Sequence, residues 1–475
     1  MDFASIIFLW YFLPAVLAVY WITPRRGRNA VIAVASLVFY AWGAGSFCLA
    51  LVGTMAANYV AGLLMDREGA PTRQRTAILV VTVAIDLGML LIWKYAGFAT
   101  SQVHDLARML GAGSVPIVDL ALPIGISFFT FHHLSYVVDV HRRDRRAQRD
   151  PLAFAAYIAM FPQLIAGPIV RYGQIADQLS RPPESKFADF AAGFPRFSLG
   201  LAKKVLVADT IGPLANAAFI TSPHDLTTAG AWFGAAAYAL QIYFDFSGYS
   251  DMAIGMGRMF GFQLPENFAR PYSAVSITDF WRRWHMSLSL WFRDYVYIPL
   301  GGNRVSRPRL YLNLYIVFVL VGFWHGAAWT FLAWGLFHGT LLVVERVTGV
   351  AALPDRAWVV PRRALTFLLV VVGWVFFRAT SLGYAVAYLG RMLSWHPGPM
   401  PVEILTDVTH LRLFVFFAAL TVVLLPAGWV TGRVLQTSTG WTGKALRLSY
   451  SALAAPCAAI FVAAGTFSPF LYYRF

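Results

Sequence analysis

Apolar residues in this chain come in long runs separated by short polar breaks, which is the length scale of membrane-crossing helices and not of helices packing one face on a soluble core. The runs fall near residues 3–22, 30–44, 46–65, 76–97, 116–138, 152–170, 190–220, 229–262, 310–345, 364–377, 411–430 and 448–466. The run over 310–345 has no formal charge before Glu345. That is long enough for two crossings of a hydrocarbon core about 30 Å thick. Pro and Gly inside several runs predict kinks and re-entrant pieces. The expected fold is all-α and polytopic, with about ten to thirteen spans, in a single integral-membrane domain over residues 1–475. No internal repeat is visible.

Composition agrees: 58% hydrophobic and 13% charged residues exclude an ordinary soluble domain. A net charge of +15 suggests nucleic acid at first sight. The basic residues, however, gather in the polar breaks at 25–28, 67–75, 141–149, 304–309, 346–363 and 433–447, where they write orientation in a membrane. One threading puts all of them in the cytoplasm and both termini outside, so the expected surroundings are membrane lipids and not nucleic acid. Residues 1–22 have no charged leader and no small-residue cleavage site, and read as a retained first helix. Cys48 and Cys457 have no Cys or His partner at ligand spacing, so neither a metal nor a disulfide framework is implied. A single buried pair stays open beside the reading of two small hydrophobic side chains.

Two places carry candidate chemistry. His325 falls near the middle of the 310–345 run, in Val321-Gly322-Phe323-Trp324-His325-Gly326-Ala327-Ala328-Trp329. An ionisable group at that depth is a functional candidate. Burial favours neutral imidazole, which can take a proton from a hydroxyl; the other reading is a histidine that hydrogen-bonds a neighbouring helix. A straight helix from Leu310 would carry His325 roughly 22 Å into the core, at about 1.5 Å per residue. The second place is the polar stretch 266–309, with Asp279-Phe280-Trp281-Arg282-Arg283-Trp284-His285-Met286-Ser287 and then Trp291-Phe292-Arg293-Asp294-Tyr295. Trp281, His285, Leu288 and Phe292 follow a helical stripe, which predicts one helix lying at the interface or dipping into the protein. That helix is either an anchor in headgroups or an inward fold that brings His and Arg side chains to a substrate.

The 279–285 motif, Tyr297-Ile298-Pro299-Leu300-Gly301-Gly302-Asn303-Arg304 and Trp324-His325-Gly326-Ala327-Ala328-Trp329 occur in the order and spacing of the membrane-bound O-acyltransferases. The chain resembles the bacterial alginate O-acetyltransferase branch of that family. Phe161-Pro162-Gln163-Leu164-Ile165-Ala166-Gly167-Pro168-Ile169 and Gln241-Ile242-Tyr243-Phe244-Asp245-Phe246-Ser247-Gly248-Tyr249-Ser250-Asp251 match the same branch, and the likeness covers nearly the whole chain. The resemblance implies a ring of helices around a central tunnel, with no bound cofactor. Within it, acyl transfer would run from a cytoplasmic thioester such as acetyl-coenzyme A to an acceptor on the other face. It also implies that His325 is catalytic and that His285 is the second family histidine.

His285, Trp324 or Arg283 are the candidate donors to the oxyanion of the tetrahedral intermediate, and His285 is alternatively a donor-fixing group. Tyr243, Asp245, Ser247, Tyr249 and Asp251 either line the tunnel or satisfy helix ends. Arg270 and Arg293 suit donor phosphates or lipid headgroups equally. The chain's last residues, Ser468-Pro469-Phe470-Leu471-Tyr472-Tyr473-Arg474-Phe475, resemble the Phe-x-Tyr-Phe-x-Phe tail of the branch, with Tyr473 where Phe is usual. By that resemblance Tyr472 is a transient acyl acceptor. A phenol of ordinary pKa about 10 leaves more readily than a sugar hydroxyl, so its ester suits a relay; a tyrosine-rich interfacial anchor is the other reading. The resemblance further implies a periplasmic partner of the SGNH-hydrolase-like acetyltransferase kind, an exported polysaccharide as final acceptor and a place in the inner membrane. Residues 379–410 are the largest outer loop in the threading and a candidate dock. A lipid or protein O-acyltransferase of the same superfamily is the alternative. A transporter or flippase is the more distant one, since it would show inverted repeats or paired broken helices.

Overall fold

The computed structural model describes residues 2–180, 187–350, 353–354, 358–425, 441–465 and 470–471, and every regular element among them is a helix. Three of these helices have the length and apolarity of a membrane crossing: Phe47–Met65, Thr72–Met109 and Val359–Arg378. Shorter apolar helices run over Phe8–Ile22, His410–Leu424 and Leu448–Ala463. The expected run 76–97 is the middle of a helix of 38 residues. At about 1.5 Å per residue that helix exceeds the hydrocarbon core, so its polar ends lie beyond the apolar zone.

Elsewhere the runs divide where the backbone requires it. Residues 152–170 form Pro151–Ala159 and a short second piece, Phe161–Leu164. Pro162 falls in the first turn of that piece, where a missing N–H leaves no bond unmade. Residues 116–125 lie outside the helix Ile126–Arg142, which begins after Gly125 at φ 77. Residues 190–220 stay continuous instead, as Phe187–Ala202, a π-helical stretch Lys203–Ala208 and Asp209–Ile220.

The helices sort into two compact units, Met1–Phe194 with Ala253–Pro265, and Pro195–Met252 with Glu266–Phe475. In the first, Arg28–Ala44 packs on Pro151–Ala159, while Phe47–Met65, Thr72–Met109 and Ile126–Arg142 pack on one another. Aromatic rings fill its core, with Phe39 at 5.8 Å from Phe8 and 5.6 Å from Phe161. Buried polar side chains also link its helices: Asn58 Nδ2 donates to Asp86 Oδ1 at 2.9 Å, and Asn29 Nδ2 to the Leu179 carbonyl at 2.9 Å. Away from water such pairs fix helix register.

The second unit is built on a helical hairpin, Arg307–His325 and Trp329–Thr348, whose second arm also packs on Val359–Arg378 and Ile277–Trp281. Glycines set how closely the arms approach. A Cβ on Gly322 would lie 2.5 Å from the Phe331 carbonyl oxygen, and one on Gly335 would strike the Phe318 carbonyl. A second close crossing pairs Gly200 with Gly248: a Cβ on the former would lie 2.5 Å from the Gly248 carbonyl oxygen, and one on the latter 2.8 Å from that of Gly200. Only residues without side chains let backbones come so near.

Candidate functional site

All the candidate residues that the structure describes belong to the second unit. The helix Arg307–His325 runs through Gly322 without a break and stops at His325, because Gly326 turns to extended backbone at φ −167 and ψ 152. His325 is only 3% exposed. Its ring stands perpendicular to Trp334 with centroids 5.0 Å apart, meets Phe377 at 5.1 Å, and lies 4.7 Å from its neighbour Trp324. Aromatic walls on these sides hold the imidazole in place and exclude water from its flanks.

His285 is positioned by a different device. The helical stripe predicted one helix through residues 281–292; the structure has two, Ile277–Trp281 and Met286–Phe292, with His285 left-handed between them at φ 45 and ψ 52. The first begins at Ser276, whose hydroxyl accepts from the Asp279 N–H at 3.0 Å, and Glu345 accepts from the N–H groups of Ile277 and Thr278. The charge that closes the 310–345 run thus caps a helix.

Asn267 explains the break. Its carbonyl accepts from the Met286 N–H at 2.9 Å, and its side-chain Oδ1 accepts from Ser287 Oγ at 2.9 Å and is 3.1 Å from His285 Nδ1. Its Nδ2 donates to Ser250 Oγ at 2.9 Å. A non-glycine residue in the left-handed region costs about 1–3 kcal/mol. Several buried hydrogen bonds at about 1 kcal/mol each offset that. An amide oxygen only accepts, so Nδ1 of His285 carries the proton and Nε2 is the basic nitrogen. Sequence reasoning missed Asn267; the signal was there in Pro265 and Pro271, which mark a non-helical stretch where Asn side chains bond backbone.

The two histidines meet at one side chain. Trp324 lies 6.0 Å from His285 and 4.7 Å from His325, ring centre to ring centre. On its other side His285 packs edge-on against Phe246 at 4.7 Å.

The helix Thr228–Met259 distributes its polar cluster over separate faces. Tyr243, Phe246 and Ser250 follow helical spacing on one face. There Tyr243 packs on Tyr272 at 5.3 Å and Trp284 at 6.2 Å, beside the Phe246 and Ser250 contacts to His285 and Asn267. Asp245 and Tyr249 share another face: Lys204 Nζ lies 2.9 Å from Asp245 Oδ1, and Tyr249 stacks edge-on with Phe470 at 4.8 Å. Asp251 is held by Arg196 Nε and Lys203 Nζ, each at 2.6 Å. Neither Lys203 nor Lys204 was singled out from the sequence, since both fall inside the apolar run 190–220 and the carboxylates they meet, Asp251 and Asp245, lie far along the chain.

Arg283 donates from Nε to Asp279 Oδ1 at 2.7 Å, and its carbonyl accepts from the Ala269 N–H at 2.9 Å. Arg293, in the π-helical turn Arg293–Tyr297, donates to Asp294 Oδ1 at 2.6 Å, and that hydrogen-bonded carboxylate holds its pKa above the ordinary value. Arg270, left-handed at φ 53, donates to the Leu425 carbonyl. No described contact brings these arginines to His285 or His325. Tyr472 lies outside the described residues. The expected loop 379–410 contains the helix Leu382–Leu393, and its continuation is tied back where the His396 N–H donates to Thr228 Oγ1 at 2.8 Å. Cys48 and Cys457 are both free thiols.

A family model described as MBOAT, the membrane-bound O-acyltransferase family, matches residues 98–386. A "Probable alginate O-acetylase AlgI" of Azotobacter vinelandii is 40% identical over 504 residues, covering 100% of both chains. Its namesake in Pseudomonas aeruginosa is 45% identical over 400 residues, covering 83% of this chain and 75% of that one. A "Peptidoglycan O-acetyltransferase" of Helicobacter pylori is 35% identical over 430 residues, with 82% and 80% covered. With a family model across the site and likeness from end to end, the chain belongs to the membrane-bound O-acyltransferase family and is an O-acyltransferase.

Proposed function

We propose that this membrane enzyme moves an acetyl group from a cytoplasmic thioester, acetyl-coenzyme A, through the bacterial inner membrane for O-acetylation of an exported polysaccharide, with His325 as general base. The observation that carries the reading is end-to-end similarity to the Azotobacter vinelandii relative named as an alginate O-acetylase. The burial of His325 against Trp324 and Trp334 supports the base. In the first step a hydroxyl oxygen attacks the thioester carbonyl while its proton passes to His325. The tetrahedral oxyanion collapses, the C–S bond breaks, and the departing sulfur takes the proton from His325. His285 and Trp324, which pack together, are the oxyanion donors favoured by position; Arg283, paired with Asp279, is the less favoured one.

The first acceptor is the Tyr472 phenol, whose ester a periplasmic SGNH-hydrolase-like partner then passes to the glycan. Tyr243, on the helix face that also carries Phe246 and Ser250, lines the route between the two faces, while Asp245, Tyr249 and Asp251 hold its neighbouring segments, and Arg293 meets donor phosphates. The basic breaks face the cytoplasm and both termini the periplasm.

The test is transfer of radiolabelled acetyl from acetyl-coenzyme A by the full chain in proteoliposomes, with alginate and peptidoglycan fragments as parallel acceptors. His325→Ala is expected to lower transfer about a hundredfold or more. Tyr472→Phe is expected to remove label retained on the protein. Full transfer by His325→Ala would end the general-base assignment.

A further inference from the structure

The residues Phe470 and Leu471 are buried, at 1% and 8% exposure. An ion triad lies against them. Lys204 Nζ is 2.6 Å from Asp209 Oδ1 and 2.9 Å from Asp245 Oδ1, and it sits 4.7 Å over the centre of the Phe470 ring. An ammonium has three N–H donors, and these contacts offer two carboxylates and one aromatic face. The other oxygen of Asp245 accepts the Leu471 N–H at 2.9 Å, and Tyr249 closes against Phe470. The lysine lies 1% exposed and the carboxylates 7% and 2% on their side chains, so each partner that the tail supplies replaces solvent that is not there.

Local structure explains how these groups come together. Lys204 is in the π-helical stretch Lys203–Ala208, whose wider turn resets the direction of its side chains. The Gly200–Gly248 crossing brings that stretch against the helix bearing Asp245. Lys203 and Lys204 then diverge to Asp251 and Asp245 respectively. Phe246, which packs on His285, is the residue next to Asp245, so the groove that holds the tail and the support of the candidate centre are backbone neighbours about 3.8 Å apart.

We propose that Lys204, Asp209, Asp245 and Tyr249 form a socket that seats Phe470 and Leu471 and so positions the acyl-accepting end of the chain for transfer at the His325 centre. Lys204, Asp209 and Asp245 are positioning residues: they grip the segment that precedes Tyr472 in sequence and leave the reacting bonds to others. The proposal rests on the relay reading above. It adds that tail seating is a separable function of one ion triad, which neither family likeness nor the tail motif assigns.

The experiment reads two products from radiolabelled acetyl-coenzyme A and the full chain in proteoliposomes. One is label retained on the protein; the other is p-cresyl acetate formed from added p-cresol, a soluble stand-in for the tyrosine phenol that needs no seated tail. Phe470→Ala is expected to lower retained label by at least about tenfold, as misplacement of a reacting group does, while p-cresol acetylation stays within about twofold. Lys204→Met tests the socket side with the same expected loss of label. Because it leaves two buried carboxylates facing each other, Phe470→Ala keeps the test decisive if that variant does not accumulate. Retained label unchanged in Phe470→Ala overturns the proposal, and so does a parallel fall of both products, which marks a merely structural role. Failure of the relay reading has its own signature: Tyr472→Phe would keep its label.

Discussion

Asp251 is clamped by two cations, Arg196 and Lys203, and Arg196 also reaches Glu266 at 2.6 Å. Removing the shared anion leaves buried positive charge without its partner. Asp251→Asn is therefore expected to destabilise the protein by about 3 kcal/mol, read as a lowered Tm in detergent; an unchanged Tm would mean that Glu266 and solvent compensate. Asn267 is a different case, because its hydrogen bonds hold His285 in the left-handed region. Asn267→Ala is expected to cost about 2 kcal/mol. It should lower kcat with KM for acetyl-coenzyme A little changed, since the donor contacts are not what it touches. A rise in KM alone would assign His285 to donor binding. At this scale His325 stood out in the sequence because it lies in an uncharged apolar run, and His285 because it lies in the aromatic and basic motif of the polar stretch. Asn267 and Lys204 did not, because their importance lies in partners distant along the chain: Ser287 and Ser250 for the one, Asp245 and Phe470 for the other.

Among elements, the hairpin Arg307–His325 and Trp329–Thr348 matters most, since it ends its first arm at His325 and places Trp334 against it. The glycine contacts at 322 and 335 set its closeness. Gly322→Leu is expected to force the arms apart, cost about 1–3 kcal/mol by overpacking, and abolish acetyl transfer by moving His325 from its aromatic walls. The same substitution with activity retained would show that the hairpin tolerates looser packing. That 310–345 holds two helices follows from the length of the apolar run. The break between Trp281 and Met286 does not, because a helical stripe records which faces are apolar and carries no information about a backbone held open by Asn267 from outside the stripe. Pro-bearing runs were anticipated to divide, and 152–170 does so.

For the whole molecule the decisive prediction concerns orientation. In a chain with Cys48 and Cys457 replaced, Asp144→Cys in a basic break is expected to resist a membrane-impermeant maleimide on intact cells, and Trp395→Cys to react; Trp395 is 84% exposed. Both protected, or the reverse pattern, would reject the threading with outward termini. Helical class, membrane setting and family were determined by the sequence itself, since apolar run length, the absence of water in a bilayer and motifs in register are local properties of the chain. What only the tertiary structure decided is which of its polar groups meet. Trp324 joins two histidines 40 positions apart, and Lys204 joins Asp245 to a tail more than 200 positions away. Such pairings depend on glycine-thin helix crossings, a π-helical turn and a left-handed histidine, each fixed by contacts between segments that no local pattern relates.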